Sequence, residues 1–189
     1  MKSKQFFCLR NLIISFAVLM FMNILINNSP VGLSRLVEIT GGHSILDMEF
    51  RGYSAERAYE ILDALGDEGR AFNMKYIIPL DFPFPLAYGM FYFITLTLIW
   101  KNVGIKTKRP WVIGLVGLCA ALFDWSENIA IINLLNSYPQ RNYEIAKIAN
   151  IFTQLKTLCM VLSILLIVVG LITLAVKWLK VKMTTNLAK

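Results

Sequence analysis

The sequence predicts an all-α membrane protein: a four-transmembrane-helix bundle with a short helical extracytoplasmic cap. Three observations predict it. The first is composition: 57% of the 189 residues are hydrophobic and only 16% are charged, whereas soluble domains carry about 25% charged residues. The second is that four apolar stretches reach the roughly 20 residues a helix needs to cross a hydrocarbon core. The third is the placement of charge. Eleven of the 19 basic residues, and no Asp or Glu, fall in 1–10, 101–110 and 177–189. Helices follow because lipid cannot satisfy an open strand edge.

The first helix spans about 6–28, and Arg10 is its only charged residue. Lys2 and Lys4 give it a basic start like that of a signal peptide. The segment Asn27-Asn28-Ser29-Pro30 offers no small-x-small cleavage pattern, so an uncleaved first helix is expected. The cap covers 29–72, too few residues for a core of its own. Pro30 is placed to open a short helix that Gly41 or Gly42 ends. Ser54 is an N-cap with Glu56 in the first turn. Ala58, Ile61, Leu62 and Leu65 then form one apolar stripe, and Gly66 is placed to end the helix. Asp67-Glu68-Gly69-Arg70 starts a helix that runs toward the second span, about 74–100. Pro79, Pro83 and Pro85 can bend that span and free carbonyls. The loop 101–110 is followed by a third helix at about 111–135 and a fourth at about 149–177, all within one integral membrane domain, 1–189.

Basic loops stay on the cytoplasmic side. Both termini and 101–110 are therefore expected in the cytoplasm, with the cap outside and the protein in the cell (inner) membrane. The formal net charge of +7 divides into +11 on the three basic segments and −4 on the remainder. It therefore predicts no nucleic-acid partner, only attraction to anionic lipid. Cys8, Cys119 and Cys159 form no C-x-x-C pair, and His43 is the single histidine. Thiol redox chemistry and a histidine metal site are not expected, and no cofactor or metal is assigned.

Ionisable residues inside a bilayer are costly and mark bundle interiors or water-filled cavities. At 1.5 Å per residue, Asp124 and Glu127 lie roughly 20 and 24 Å from the cytoplasmic end of the third helix, and Asp81 about 8 Å below the outer end of the second. Lys156 lies about 31 Å above Lys177 on the fourth. All fall in the outer half of the bundle. Asp124, Glu127 and Asn128 share a helical face, as do Thr153 and Lys156. Asp81, Pro85, Tyr88, Tyr92 and Thr95 form a stripe on the second helix. The expectation is a polar acidic pocket with Asp124 and Glu127 as its acid–base pair. Asp81, Tyr88, Tyr92, Asn128, Thr153, Lys156 and Arg70 are assigned to substrate binding. Several carboxylates near one amine leave negative charge that a proton or a cation would offset, which suits acid–base work, proton coupling or cation binding. Interhelical hydrogen bonding without function is the structural alternative.

The ordered motifs Gly66-Asp67-Glu68-Gly69-Arg70, Asp81-x-x-Phe84-Pro85-x-x-Tyr88, Asp124-x-x-Glu127-Asn128 and Thr153-x-x-Lys156 resemble a group of small bacterial four-helix membrane proteins. The resemblance covers roughly residues 50–175 and implies a shared layout, with no established activity to carry over. The layout is also similar at fold level to sterol-isomerase-type and DoxX-type bundles, without the dithiol of vitamin-K-epoxide-reductase-like bundles, and function does not follow from fold alone. The functional expectation is binding of a lipid-like or other small amphiphile at the bilayer, with its chemical modification left open. The alternatives are a non-catalytic assembly subunit with a membrane-protein partner, or an oligomeric proton- or cation-coupled transporter.

Overall fold

A computed structural model describes residues 6–104 and 109–187. Lys2, Lys4, Lys106, Lys108 and Lys189, part of the basic pattern above, lie outside the described residues. The described chain is predominantly helical, without strands. Its helices are α1 (Leu9–Asn28), α2 (Leu33–Ile39), α3 (Ala55–Ala64), α4 (Gly66–Phe72), α5 (Ile78–Asp81), α6 (Phe84–Val103), α7 (Trp111–Ser137) and α8 (Tyr143–Leu187). Four helical stretches are long and apolar enough to cross a membrane: Leu9–Ile39, Gly66–Val103, Trp111–Ser137 and Tyr143–Thr185. The protein is an all-α four-helix membrane bundle.

Helix α7 is the centre, packed against α6 on one side and α8 on the other, while α1 leans chiefly on α6. Small residues set the α6–α7 approach. A Cβ added to Gly89 would lie 2.9 Å from the Ala121 Cβ, and one on Gly114 would lie 2.6 Å from the Phe93 carbonyl. Lipid offers no hydrophobic drive between helices, so this closeness is itself the source of dispersion energy. Exposed Phe16, Phe21 and Ile24 on α1 and Leu158, Leu165 and Leu171 on α8 suit acyl chains rather than water. Helix α6 stops at Gly104, whose φ of +79° is a left-handed C-terminal position.

The cap closes one end. Ser54 accepts a hydrogen bond from the Arg57 amide at 3.1 Å, and hydrogen bonds from its own amide and from Ser54 hold Glu56 below the usual carboxylate range. Ala58, Ile61, Leu62 and Leu65, the stripe read in the sequence, are all buried. They pack with Tyr59, Leu36, Ile45 and Leu46 onto Ala130, Ile131 and Leu134 of α7 and Ala146 and Ala149 of α8. The Pro30 expectation differs in register: 30–32 form a turn in which the Gly32 amide bonds to Ser29 O at 2.9 Å, and α2 begins at Leu33. Gly66, at φ +63°, ends α3 and opens α4. From there the chain passes through a π-helical turn at Asn73–Ile77 into α5. Residues 82–83 then break the helix before α6, at the prolines that predicted a bend. The Phe82 carbonyl accepts from the Trp125 indole at 2.7 Å, so one backbone acceptor at the break is satisfied across the bundle. Helix α8 runs 45 residues, about 67 Å at 1.5 Å per residue, roughly twice the length needed to cross a bilayer core.

Candidate functional site: a buried acidic cluster beside a cavity

Sequence spacing places Asp124, Glu127 and Asn128 on one face of α7, and α7 is central, so that face turns inward between α6 and α8. Glu127 is 0% exposed and Asp124 4%. Lys156 of α8, 2% exposed, holds its ammonium 2.5 Å from Glu127 Oε2 and 3.6 Å from Asp124 Oδ1. The Thr153 hydroxyl, one turn along α8, lies 2.6 Å from Glu127 Oε1. From α6 the Tyr88 hydroxyl donates to Asp124 Oδ2 at 2.8 Å. Asn128 donates to Asp81 Oδ2 at 2.6 Å and faces Asp124 Oδ1 at 3.5 Å. Asp81 is the last residue of α5 and sits at the proline break, which turns its side chain toward α7.

Asp47, which the sequence reading did not assign, completes the cluster. It comes from a 3-10 turn of the cap, Leu46–Met48, and its Oδ1 lies 2.5 Å from Lys156 Nζ. The available signal was a single acid among apolar neighbours, Ile45-Leu46-Asp47-Met48, in a segment long enough to fold back over the bundle. Tyr53 was missed as well. It is buried near Thr153, Glu127 and Lys156; burial lifts its hydroxyl well above the ordinary phenol range, so it stays neutral. Its backbone amide donates to Asn150 Oδ1 at 2.8 Å, tying the cap to α8.

Four carboxylates and one ammonium leave three formal negative charges in a buried space. Charges removed from water need close, well-oriented partners to offset desolvation. Lys156 supplies them to Asp47, Asp124 and Glu127. Asp81 has no cationic side chain within ion-pair distance among the described residues and relies on Asn128.

A cavity of about 260 Å³ opens against this cluster. Asp47, Asp81, Asp124, Lys156 and Tyr88 form its polar end. Asn23, Ile26 and Asn27 of α1, Leu33 of α2, Met48 and Phe50 of the cap, and Phe84 and Met160 of the bundle form the rest of its wall. It exists because α1 leans on α6 and hardly meets α8. Its shape joins an acidic head to an apolar flank, the usual make-up of small-molecule pockets. A carboxylate such as Asp124, held by a phenol and an ammonium, can exchange a proton with a bound group.

The structure brings together Asp81, Tyr88, Asp124, Glu127, Asn128, Thr153 and Lys156, and separates them by role. Asp81, Tyr88, Asp124 and Lys156 border the cavity, whereas Glu127, itself held by Thr153, pairs with the Lys156 ammonium and does not line it. Tyr92 is adjacent only through its ring, 6.1 Å from that of Tyr88, and packs where α6 meets Gly117 of α7. Arg70 is apart from the cluster: it donates to Leu62 O at 2.6 Å, pairs with Asp67 and covers the Tyr138 ring at 3.8 Å. The sequence assigns Arg70 to substrate binding; the cap instead uses it to tie α4 to α3 and to the end of α7. No protein-family model, curated protein or solved structure matches the chain.

Proposed function

We propose that the protein is a multi-pass protein of the cell membrane that binds a lipid-like amphiphile in the cavity between α1, α6 and α8. The polar head lies against Asp81, Asp124 and Tyr88, and the acyl part lies along Ile26, Phe84 and Met160. The observation that carries this reading is the cavity itself: its acidic end abuts a largely apolar wall, in a bundle whose outer faces suit lipid. Lys156 is already engaged by three carboxylates, so the free hydrogen-bonding capacity at the head is that of an acceptor. A hydroxyl- or amine-bearing head complements it better than a phosphate does. Where the ligand reacts, Asp124 is the residue placed to give or take its proton, and Glu127 acts through Lys156. The basic segments support an orientation with both termini and the 101–110 loop in the cytoplasm and the cap outside, in which the ligand enters from the outer leaflet. The resemblance to small bacterial four-helix membrane proteins is compatible with this placement.

Native mass spectrometry of the purified chain tests the reading. Wild type should carry a co-purified amphiphile, and Asp81→Asn with Asp124→Asn should shed it while the fold is retained. Equal ligand occupancy in wild type and the double variant overturns the proposal.

A further inference from the structure

Asp81 borders the cavity. It also borders a second void, of about 10 Å³, lined by Asp47, Asn73, Asp81 and Asn128 within a shell of isoleucine and leucine. A void of that size admits one water-sized particle. Its polar lining is unusual. Asn73 is 3% exposed and its Oδ1 has no hydrogen-bond partner among the described residues. Buried acceptors left without a donor cost about 1–3 kcal/mol, so Asn73 awaits something. The π-helical turn Asn73–Ile77 places it at this depth, and single π turns recur at functional sites.

The carboxylates point to what that is. One oxygen each of Asp47, Asp81 and Asp124 lies within 4.8 Å of the others. That is the widest separation two oxygens can have on one ion at about 2.4 Å, inside the calcium range of roughly 2.3–2.6 Å. Asp81 is buried without an ion-pair partner among the described residues, and the cluster sets four carboxyl groups against one ammonium, an excess that a proton or a cation offsets. A water would satisfy Asn73 and leave that excess in place.

We infer that Asp47, Asp81 and Asp124, with the amide oxygen of Asn73, form a binding site for a single hard cation, with calcium as the best fit. All donors are oxygens, which excludes a zinc preference. Magnesium demands near-ideal octahedral geometry, which carboxylates converging from three separate elements suit less well than the flexible coordination of calcium. The ion bridges the cap, through Asp47, to the proline break of the second span and to the central helix, so cap closure and ion binding are coupled. The site shares Asp81 and Asp124 with the head-binding end of the cavity, so ion and amphiphile occupancy are measured separately.

Titration calorimetry on the full chain in phosphatidylcholine nanodiscs, stripped with EDTA, tests this with CaCl₂ and MgCl₂ alone. Wild type should bind one Ca²⁺ per chain and Mg²⁺ at least tenfold more weakly. Asn73→Leu, which fills the void, and Asp81→Asn should each lose at least tenfold in Ca²⁺ affinity. Asn73→Asp should bind at least as tightly as wild type, and it keeps the test decisive if the other two variants do not fold. No saturable Ca²⁺ binding by wild type, Asn73→Leu binding within twofold of wild type, or weaker binding by Asn73→Asp overturns the inference. Amphiphile occupancy measured in EDTA distinguishes failure of this site from failure of the cavity.

Discussion

Replacing Lys156 with Met removes the ammonium that three buried carboxylates share. Its Nζ lies 2.5 Å from Asp47, 2.5 Å from Glu127 and 3.6 Å from Asp124. Methionine has similar length and fills the same space, so the change is electrostatic rather than a cavity. Removing one partner of a buried ion pair costs about 3–5 kcal/mol, because the other charge is left without compensation. Here three are left, so the upper part of that range is expected. The assay is reversible unfolding in mixed micelles, read by the fluorescence of Trp125, whose indole is fixed to the Phe82 carbonyl. Adding Glu127→Gln to Lys156→Met removes one orphaned charge and should restore at least about 1 kcal/mol, within the usual coupling of contacting residues. A loss below about 1 kcal/mol for Lys156→Met, or strictly additive losses in the double variant, would refute the picture of one ammonium neutralising several acids.

Other outcomes follow from the same geometry. Tyr88→Phe takes one donor from Asp124 and should cost about 1.5–3 kcal/mol, the range for hydrogen bonds to charged groups; a neutral result in the unfolding assay would place that hydroxyl elsewhere. Gly89→Ala puts a methyl 2.9 Å from the Ala121 Cβ and should destabilise by about 1–3 kcal/mol through overpacking. A stability equal to wild type would mean that α6 and α7 are farther apart. Arg70→Met should lower stability by about 0.5–2 kcal/mol through loss of its contact with the Tyr138 ring and leave amphiphile occupancy in native mass spectrometry unchanged; lost occupancy would return Arg70 to the site.

The four spans were legible because a bilayer imposes length and apolarity on any helix that crosses it, and no tertiary contact can override that requirement. The inward face of α7 was equally legible: Asp124, Glu127 and Asn128 repeat at helical spacing in a segment where a charge has few places to go. The reach of Lys156 followed from the same depth reasoning. Asp47 and Asn73 were not legible. Their membership depends on how the cap folds back and on a π-helical turn, and neither leaves a periodic trace in the sequence. Glu127 shows the limit of reasoning from residue type. Its spacing put it on the polar face, but there it pairs with the Lys156 ammonium and does not line the cavity. Arg70 shows a different limit, since a cation near a membrane boundary satisfies a helix carbonyl and an aromatic ring as readily as a ligand.

The claim that most needs direct measurement is that the space between α1, α6 and α8 holds an amphiphile, head toward the acids. A long-chain alcohol carrying a photoreactive group midway along its chain, crosslinked in nanodiscs and mapped by peptide mass spectrometry, reports this position. Labelling concentrated at Ile26, Phe84 and Met160 and suppressed by Asp81→Asn with Asp124→Asn is the predicted result. Labelling spread along the exposed Leu158, Leu165 and Leu171 face of α8, unaffected by those substitutions, would contradict it.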